Sequence, residues 1–342
     1  MANDPGFDIF FDEPQQPPSQ SNGPPQDKNW KWPNGPEEYG LSPDAGREGK
    51  TDDREAEQPP EILPFETFDA SQWEGVPIED RRWIVHNRIP AGEPGIMSGD
   101  GGTGKTKLAL QLGAAVSAEL PDWVGGVVET HGPVLVFSAE EKLKEMHRRV
   151  RDVLEHRGLS LKDLRGRMHF ICDHDDTVLG AVGHNGVVQP TMSLLRLEKT
   201  VIAIRPVLVV IENAADVYGG NENDRTNVTR FVRKVLGSLT VPCESTVMLI
   251  QHPSVAGLND GTGRSGTTGW NNAGRWRNNF TTIKDDDDGL RQLEIAKNNY
   301  GPKGEKVRLR WERGVFVPEG TASAHESLLH SGRAHRCRGQ PP

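Results

Sequence analysis

One octapeptide constrains what this chain can fold into more than any other segment. Its residues are Gly99, Asp100, Gly101, Gly102, Thr103, Gly104, Lys105 and Thr106. They fit the pattern G-x-x-x-x-G-K-[ST] at every position, with an apolar run before them and an amphipathic run after them. Glycines allow the backbone to wrap around a phosphate with its amide groups pointing inward, where a helix N-terminus adds positive charge. The segment therefore predicts a phosphate-binding loop between a buried strand and a helix.

Two side chains of this loop are expected to contact the ligand. Lys105 is expected to reach the β- and γ-phosphates of ATP, and Thr106 to offer its hydroxyl to Mg²⁺. A glycine-rich turn without a ligand is the alternative. The complete pattern and its flanking segments favour ATP binding, with Mg²⁺ as the cofactor.

Short apolar runs and amphipathic stretches alternate from about residue 61 onward. Strands are predicted at residues 95–99, 134–139, 168–173, 207–212 and 246–252, and helices at 105–117, 140–156, 192–204 and 224–239. Strands that read as continuous apolar runs between helices predict an α/β fold with a mostly parallel sheet and helices on both faces. Further strands at 280–284, 291–297, 307–311 and 314–317 are expected to form antiparallel hairpins at the end of the sheet.

The composition divides the chain into three parts. Residues 1–60 contain eleven prolines and thirteen Asp and Glu against five Lys and Arg, which predicts a disordered acidic tail. This tail accounts for nearly all of the formal net charge of -9, so the acidity does not exclude nucleic acid as a partner of the rest. Residues 61–317 are expected to form one ATPase domain, and residues 318–342 a loose C-terminal tail.

The cysteine pattern and the hydropathy of the chain indicate where in the cell the protein is expected. Cys172, Cys243 and Cys337 are odd in number and lack a C-x-x-C spacing, so a disulfide framework or a zinc site is not expected. No run of eighteen apolar residues occurs, and the N-terminus has no apolar core of a secretory signal. These features favour a cytoplasmic protein without a membrane segment.

Acidic and polar residues end three of the predicted strands. Glu212 ends the most apolar strand, where an ATPase places the acid that holds magnesium, usually Asp; Asp216 lies one turn further on. Glu140 follows the strand at 134–139 and is expected to polarise the attacking water, with a helix-start acid as the alternative. His252 ends the strand at 246–252 and is expected to sense the γ-phosphate, with an ordinary structural histidine as the alternative.

Six segments occur in an order that resembles a known family. They are GDGGTGKT, VLVFSAEE, VLVVIENAADVYGG, LIQHPSVAG, SGTTGWNNAGRWR and KNNYGPKG, within roughly residues 65–317. The set resembles the RepA-like ATPases, RecA-core proteins of plasmids, phages and prophages whose founding type is a ring-shaped hexameric replicative helicase. The resemblance implies a RecA-like P-loop NTPase core.

The resemblance also implies roles for single residues. Gly99 to Thr106 would be the Walker A motif, Glu140 the catalytic glutamate, Glu212 the Walker B position and His252 the sensor. Arg275 would be the arginine finger that reaches the nucleotide of a neighbouring subunit. Arg277 competes with Arg275 for that role, and Lys297 would support it.

The predicted function is an ATP-hydrolysing, ring-forming motor or helicase on single-stranded DNA that serves a mobile element. The resemblance implies the DNA partner and a homo-oligomer such as a hexamer. Residues 254–274, with Arg264, and residues 180–190 are candidate pore loops, although neither is rich in Lys or Arg.

Three other functions remain open. A slow-turnover ATP-binding regulator is the main alternative, since Glu212 replaces the usual Asp and the candidate pore loops carry few positive charges. A filament-forming recombinase and a small-molecule kinase are less favoured.

Overall fold

The computed structural model describes residues 64–172, 175–252, 268–283 and 289–320. The chain divides after residue 60, and all of these residues belong to the part that follows. The predicted acidic tail lies outside the described residues. So do Arg264, the turn at 285–288 and the C-terminal tail beyond residue 320.

Strands occur throughout the described residues. In chain order they are β1 Trp83–Val85, β2 Ile89–Pro90, β3 Pro94–Ser98, β4 Asp122–Trp123, β5 Gly126–Val127, β6 Val134–Ser138, β7 Met168–Cys172, β8 Gly180–Val182, β9 Val188–Pro190, β10 Leu208–Glu212, β11 Tyr218–Gly219, β12 Thr246–Gln251, β13 Trp276–Thr282, β14 Arg291–Asn298, β15 Lys306–Glu312 and β16 Val315–Pro318.

Helices separate most of the longer strands. They are α1 Lys105–Ser117, α2 Leu143–His156, α3 Met192–Ile204, α4 Ala214–Val217, α5 Arg225–Arg230 and α6 Thr268–Ala273, with 3-10 turns at Ala70–Trp73 and Leu161–Leu164 and a π-helical segment at Phe231–Leu236. Among the described residues, no helix is both long and apolar enough to cross a membrane.

A nine-stranded sheet in the order β16-β15-β14-β13-β3-β12-β10-β6-β7 forms the centre of the fold. Strands β13, β3, β12, β10, β6 and β7 run parallel, and β14, β15 and β16 continue the sheet as antiparallel neighbours. This arrangement confirms the predicted α/β fold with a mostly parallel sheet and C-terminal antiparallel hairpins.

Alternate residues of the central strands enter two separate cores. Val134 and Val136 of β6 join the core beneath α1 and α2, whereas Leu135 and Phe137 join the core beneath α3 and α5. Successive side chains of a strand point to opposite faces, so strands without polar positions require helices on both faces. The continuous apolar runs of the sequence are explained by this double cover.

The structure corrects several predicted elements. Helix α2 begins at Leu143 rather than at residue 140, with Lys142 as its N-cap. The helix predicted at 224–239 changes from α-helical to π-helical geometry at Phe231. Residues 180–190 form the hairpin of β8 and β9, which pairs with β11 in a small sheet, where the sequence suggested a loop.

The close approach of β3 and β13 requires glycine at position 95. A Cβ atom on Gly95 would lie 2.1 Å from Cε2 of Trp276, whose side chain is fully buried. We expect Gly95→Ala to lower the free energy of unfolding by about 1–3 kcal/mol, the usual cost of overpacking a core. Urea denaturation measures the change.

Gly237 provides the matched control for this substitution. It lies in a helix, and the nearest atom to an added Cβ is 3.9 Å away. We expect Gly237→Ala to leave stability unchanged or raise it by roughly 0.5–1 kcal/mol. Equal stabilities of the two variants would contradict the steric argument.

Candidate active site

The predicted phosphate-binding loop connects β3 to α1 at the carboxyl edge of the parallel sheet. Gly104 is the N-cap of α1 with φ of 93°, a left-handed conformation that glycine adopts without strain. A Cβ atom at this position would also lie 2.6 Å from the Phe316 ring of β16. The glycine therefore permits both the turn of the loop and the close contact of the last hairpin.

Lys105 is buried at the base of this loop, with 4% of its surface exposed. Its Nζ donates hydrogen bonds to the carbonyl oxygens of Gly99 at 2.7 Å and Asp100 at 2.8 Å, and lies 3.3 Å from Nδ1 of His252. Burial lowers the pKa of Lys105 to about 8, against the opposing effect of the nearby carboxylates. Its ammonium is thus desolvated in advance at the point where a phosphate is expected.

Glu212 occupies the position predicted for the magnesium-holding acid. It ends β10, is 2% exposed, and accepts hydrogen bonds from Oγ1 of Thr106 and, at 2.6 Å, from Oγ of Ser138. Burial raises the pKa of Glu212, and the two hydroxyl donors act in the opposite direction. The longer side chain of Glu spans the distance to both hydroxyls, which accounts for how this residue fits where Asp is usual.

The donor set around Thr106 fits a magnesium ion. A hydroxyl and a carboxylate are hard oxygen ligands, and Mg²⁺ is usually held by one or two carboxylates together with phosphates and water. No cluster of three or more His, Cys, Asp or Glu side chains arranged for a metal occurs within the described ranges. The protein therefore offers the partial ligand set that a nucleotide-bound ion needs, rather than a complete cage.

Glu140 lies two residues beyond the end of β6, and α2 begins only at Leu143. Glu140 therefore lies before the first turn of α2 rather than within it, where the alternative of a helix-start acid placed it. Its Oε1 accepts a hydrogen bond from Nδ2 of Asn213 and lies 3.9 Å from Nε2 of His252. Burial raises the pKa of Glu140, and the nearby carboxylates of Glu212 and Asp216 raise it further.

His252 lies between Lys105 and Glu140 at the end of β12. Burial lowers the pKa of its imidazole, and the adjacent Lys105 charge lowers it further. A neutral ring can contact both groups at once, with Nδ1 toward Lys105 and Nε2 toward Glu140. The structure thus brings together Lys105, Thr106, Glu140, Glu212 and His252, as the sequence predicted.

Arg275 lies away from this group of residues, at the opposite edge of the sheet. Its backbone N–H donates to the carbonyl of Pro94 at the start of β3, and its half-exposed side chain lies 3.9 Å from Glu93. The phosphate-binding loop follows the other end of β3, five residues along. At ~3.3 Å per residue, roughly 15 Å separates the two edges.

The other two cations of this segment have internal hydrogen bonds. Arg277 is 4% exposed and donates to Oγ of Ser98 and to Oδ1 of Asn271, so it does not compete with Arg275 as a finger. Lys297 donates to the backbone carbonyls of Asn271, Asn272 and Gly274 and thereby holds the end of α6. Burial lowers the pKa of Lys297, and the positive charges of Arg275, Arg233 and Arg277 lower it further.

A cavity of about 450 Å³ is lined by the predicted residues and by one further residue that the sequence analysis did not indicate. It is lined by Lys105, Thr106, Glu140, Glu212 and His252 and also by Trp311 of β15. No motif surrounds Trp311, and only the packing of the last hairpin against α1 brings it to the cavity. A tryptophan at the end of the predicted strand 307–311 was the one available signal.

Comparison with known proteins gives one family match. A profile described as an AAA domain matches residues 58–257. No curated protein sequence matches the chain. The solved structures that match include a KaiC-like protein from the hyperthermophilic archaeon Pyrococcus horikoshii, with 16% identity and a TM-score of 0.45 over 69% of this chain and 93% of that chain.

The lowered pKa of Lys105 predicts a measurable pH dependence of stability. The unfolded lysine titrates near 10.5 and the folded one near 8, so between these values the unfolded chain binds more protons. Stability therefore rises with pH across this window, by up to about 3 kcal/mol in total. Below pH 8 the buried charge disfavours the folded state by a constant amount.

Lys105→Met isolates this contribution. The free energy of unfolding of the wild-type protein, measured in urea from pH 7 to 10.5, should increase relative to that of the variant above pH 8. The contributions of titratable groups that both proteins share cancel when the two free energies of unfolding are subtracted. A difference that is independent of pH would show that Lys105 titrates normally in the folded chain.

Proposed function

The chain belongs to the AAA domain family of P-loop ATPases, and from that premise we propose that it hydrolyses Mg²⁺-bound ATP as a ring-forming motor on single-stranded DNA. The observation that carries the ATPase part is the convergence of five residues from four elements on one cavity. A phosphate-binding lysine, a hydroxyl and carboxylate pair for magnesium, a second carboxylate and a histidine line it together. Phosphoryl transfer to water needs these groups and little covalent chemistry from the protein.

Each residue has a distinct role in the proposed reaction. The amides of the loop and Lys105 bind the β- and γ-phosphates, and Thr106 with Glu212 would hold the metal. A magnesium ion held there would supply positive charge against the negative charge that develops on the phosphates. Glu140 accepts the proton of the attacking water, and its raised pKa brings it closer to neutral pH, where a general base is most effective.

His252 is proposed to report the state of the γ-phosphate. It contacts Lys105 on one side and approaches Glu140 on the other, and it immediately precedes the segment 253–267. A shift of Lys105 toward or away from a phosphate would change the hydrogen bonding of the imidazole. The change would then pass along the chain into the segment that follows β12.

Arg275 supports the proposal of an oligomer. It lies at the amino edge of the sheet, whereas the phosphate-binding loop lies at the carboxyl edge of the same sheet. Arg275 therefore does not reach the nucleotide of its own chain. If it stabilises a γ-phosphate, that phosphate belongs to a neighbouring copy, which is the arrangement that the RepA-like resemblance implies.

The DNA part of the proposal depends on the order of sequence motifs shared with RepA-like ATPases. The candidate pore segment with Arg264 lies outside the described residues, and the second candidate, residues 180–190, is a hairpin. The regulator is the second candidate function, and the hydrogen-bonded, desolvated Glu212 carboxylate favours it, because a ligand must displace those bonds. Hydrolysis assays separate the two functions.

Glu140→Gln is expected to lower the rate of ATP hydrolysis about 10²–10⁴-fold, because the amide cannot accept the proton of water. Nucleotide binding should persist, since Glu140 does not hold the phosphates. Hydrolysis is measured with and without single-stranded DNA, and the motor predicts stimulation by DNA in the wild-type protein. Lys105→Ala is the control that should lose both binding and turnover.

A different result would support the regulator instead. Nucleotide binding with negligible turnover in the wild-type protein, unchanged by DNA, would contradict the motor. Full activity of Glu140→Gln would contradict the role of Glu140 as the base. The first result would still be consistent with ATP binding by this site. The second would remove only the proposed role of Glu140 as the general base.

Arg275→Ala is expected to lower the hydrolysis rate about 10³-fold, the lower range for an arginine finger, with little change in ATP affinity. Arg196→Ala, at an exposed position on α3, is the matched control and should retain activity. The mass of the wild-type protein with ATP is measured in solution alongside. A monomeric protein that is fully active, with or without Arg275, would contradict the shared site.

Complementation gives a sharper version of this test. Arg275→Ala chains keep an intact phosphate site and Lys105→Ala chains keep the finger, so mixed oligomers contain some complete sites. Activity should therefore appear on mixing two nearly inactive variants. No recovery in confirmed mixed oligomers would place Arg275 outside the catalytic site.

A further inference from the structure

Trp311 is an exposed aromatic side chain at one end of the cavity. It lies on β15, and 50% of its surface is exposed, although an indole normally stabilises a fold by burial. It lines the same cavity as Gly102, Gly104 and Lys105 of the phosphate-binding loop. A large flat apolar surface thus opens onto the space that is expected to hold a charged ligand.

The last hairpin holds this indole in a fixed place relative to the loop. Trp311 is paired with Phe316 across β15 and β16, and their ring centroids are 4.8 Å apart at an interplanar angle of 67°. Phe316 in turn contacts Gly104 and makes an edge-to-face contact with Phe280. The position of the indole is therefore coupled to the start of α1 through a single buried ring.

Two further contacts attach the hairpin to the helices. The side-chain amide of Gln111 donates to the carbonyl of Phe316 at 2.9 Å and accepts from its N–H at 2.8 Å. Gly314, in the turn, lies against Asp152 of α2, and Asp152 pairs with Lys107 of α1 at 2.9 Å. These contacts reduce the freedom that Trp311 would lose on binding a ligand, which favours affinity.

We infer that Trp311 is the stacking platform for the nucleobase of the bound nucleotide. The inference rests on the proposed ATP site and names the part of the ligand that the loop does not bind. A cavity of about 450 Å³ lies within the usual range for small-molecule sites. Because Lys105 and Trp311 line the same cavity, a nucleotide with its triphosphate at Lys105 is expected to place its base against the exposed part of the indole. Every nucleobase has a π-face, so stacking provides affinity for the base without reading its hydrogen-bonding edge.

The test compares a ligand that has a base with one that does not. Binding of a non-hydrolysable ATP analogue and of inorganic tripolyphosphate is measured by calorimetry with Mg²⁺ on the full chain. Trp311→Ala should weaken binding of the analogue roughly tenfold or more, as alanine substitution of a stacking aromatic does. Tripolyphosphate affinity should stay unchanged, which also shows that the loop of the variant is folded.

Conservative variants separate stacking from structural support. Trp311→Phe retains a flat ring and should bind the analogue nearly as well as the wild-type protein. Trp311→Leu retains apolar contact with Phe316 but has no π-face, and should behave like Trp311→Ala. Trp73, an exposed tryptophan that does not line the cavity, gives the control Trp73→Ala, which should bind both ligands normally.

The outcomes distinguish this inference from the proposed function. Failure of the wild-type protein to bind either ligand would overturn the ATP site and the inference with it. Binding of both ligands, with equal affinities of the Leu and Phe variants for the analogue, would overturn the stacking platform alone. If Trp311→Ala weakens the binding of both ligands equally, Trp311 stabilises the phosphate-binding loop and does not stack on the base.

Discussion

The buried Glu212 carboxylate and the two hydroxyls that donate to it hold the site together. Ser138 ends β6, and Glu212 ends β10 in register with Ser138. Thr106 is the second residue of α1. A carboxylate removed from water destabilises a fold unless hydrogen bonds replace its hydration, and here both oxygens accept one. Three elements that are distant in sequence must therefore meet at one point, and this fixes the loop relative to the strand ends.

The strand order explains why the remaining residues gather around this point. Strand β12 lies between β3 and β10, so His252 at its end is inserted between Lys105 and Glu140. Burial disfavours the charged form of each of these groups, lowering the pKa of Lys105 and raising the pKa of Glu140 and Glu212. The phosphates of a nucleotide would supply the opposite charge to Lys105, and the accompanying Mg²⁺ would supply it to Glu212. Burying these charged groups lowers the stability of the fold, and a metal-bound triphosphate would provide the charges that compensate them.

Local signals in the sequence were sufficient for the sheet and for the residues at its carboxyl edge. Continuous apolar runs predicted β6, β10 and β12 within one residue at each end, and parallel strands necessarily bring Glu140, Glu212 and His252 to a common edge. Contacts between distant segments were not predictable. Arg277 is buried because it donates to Ser98, 179 residues earlier, and no local pattern distinguishes it from Arg275. Trp311 reaches the cavity only because β16 packs on α1 through Gln111.

The two edges of the sheet carry different groups of charged residues. Glu140, Glu212 and Lys105 lie at the carboxyl edge. Arg275 and Lys297 lie near the amino edge with Arg233 close by, since the positive charges of Arg275 and Arg233 lower the pKa of Lys297. A backbone strand of five residues separates them, so one chain cannot bring both to one phosphate. Two copies arranged head to tail can, because the exposed Arg275 of one then faces the carboxyl edge of the next. Since such a heterologous contact is repeated by every copy, it closes as a ring or continues as a filament. If Arg275 acts on ATP as proposed, the geometry of a single chain therefore limits the assemblies in which it can do so.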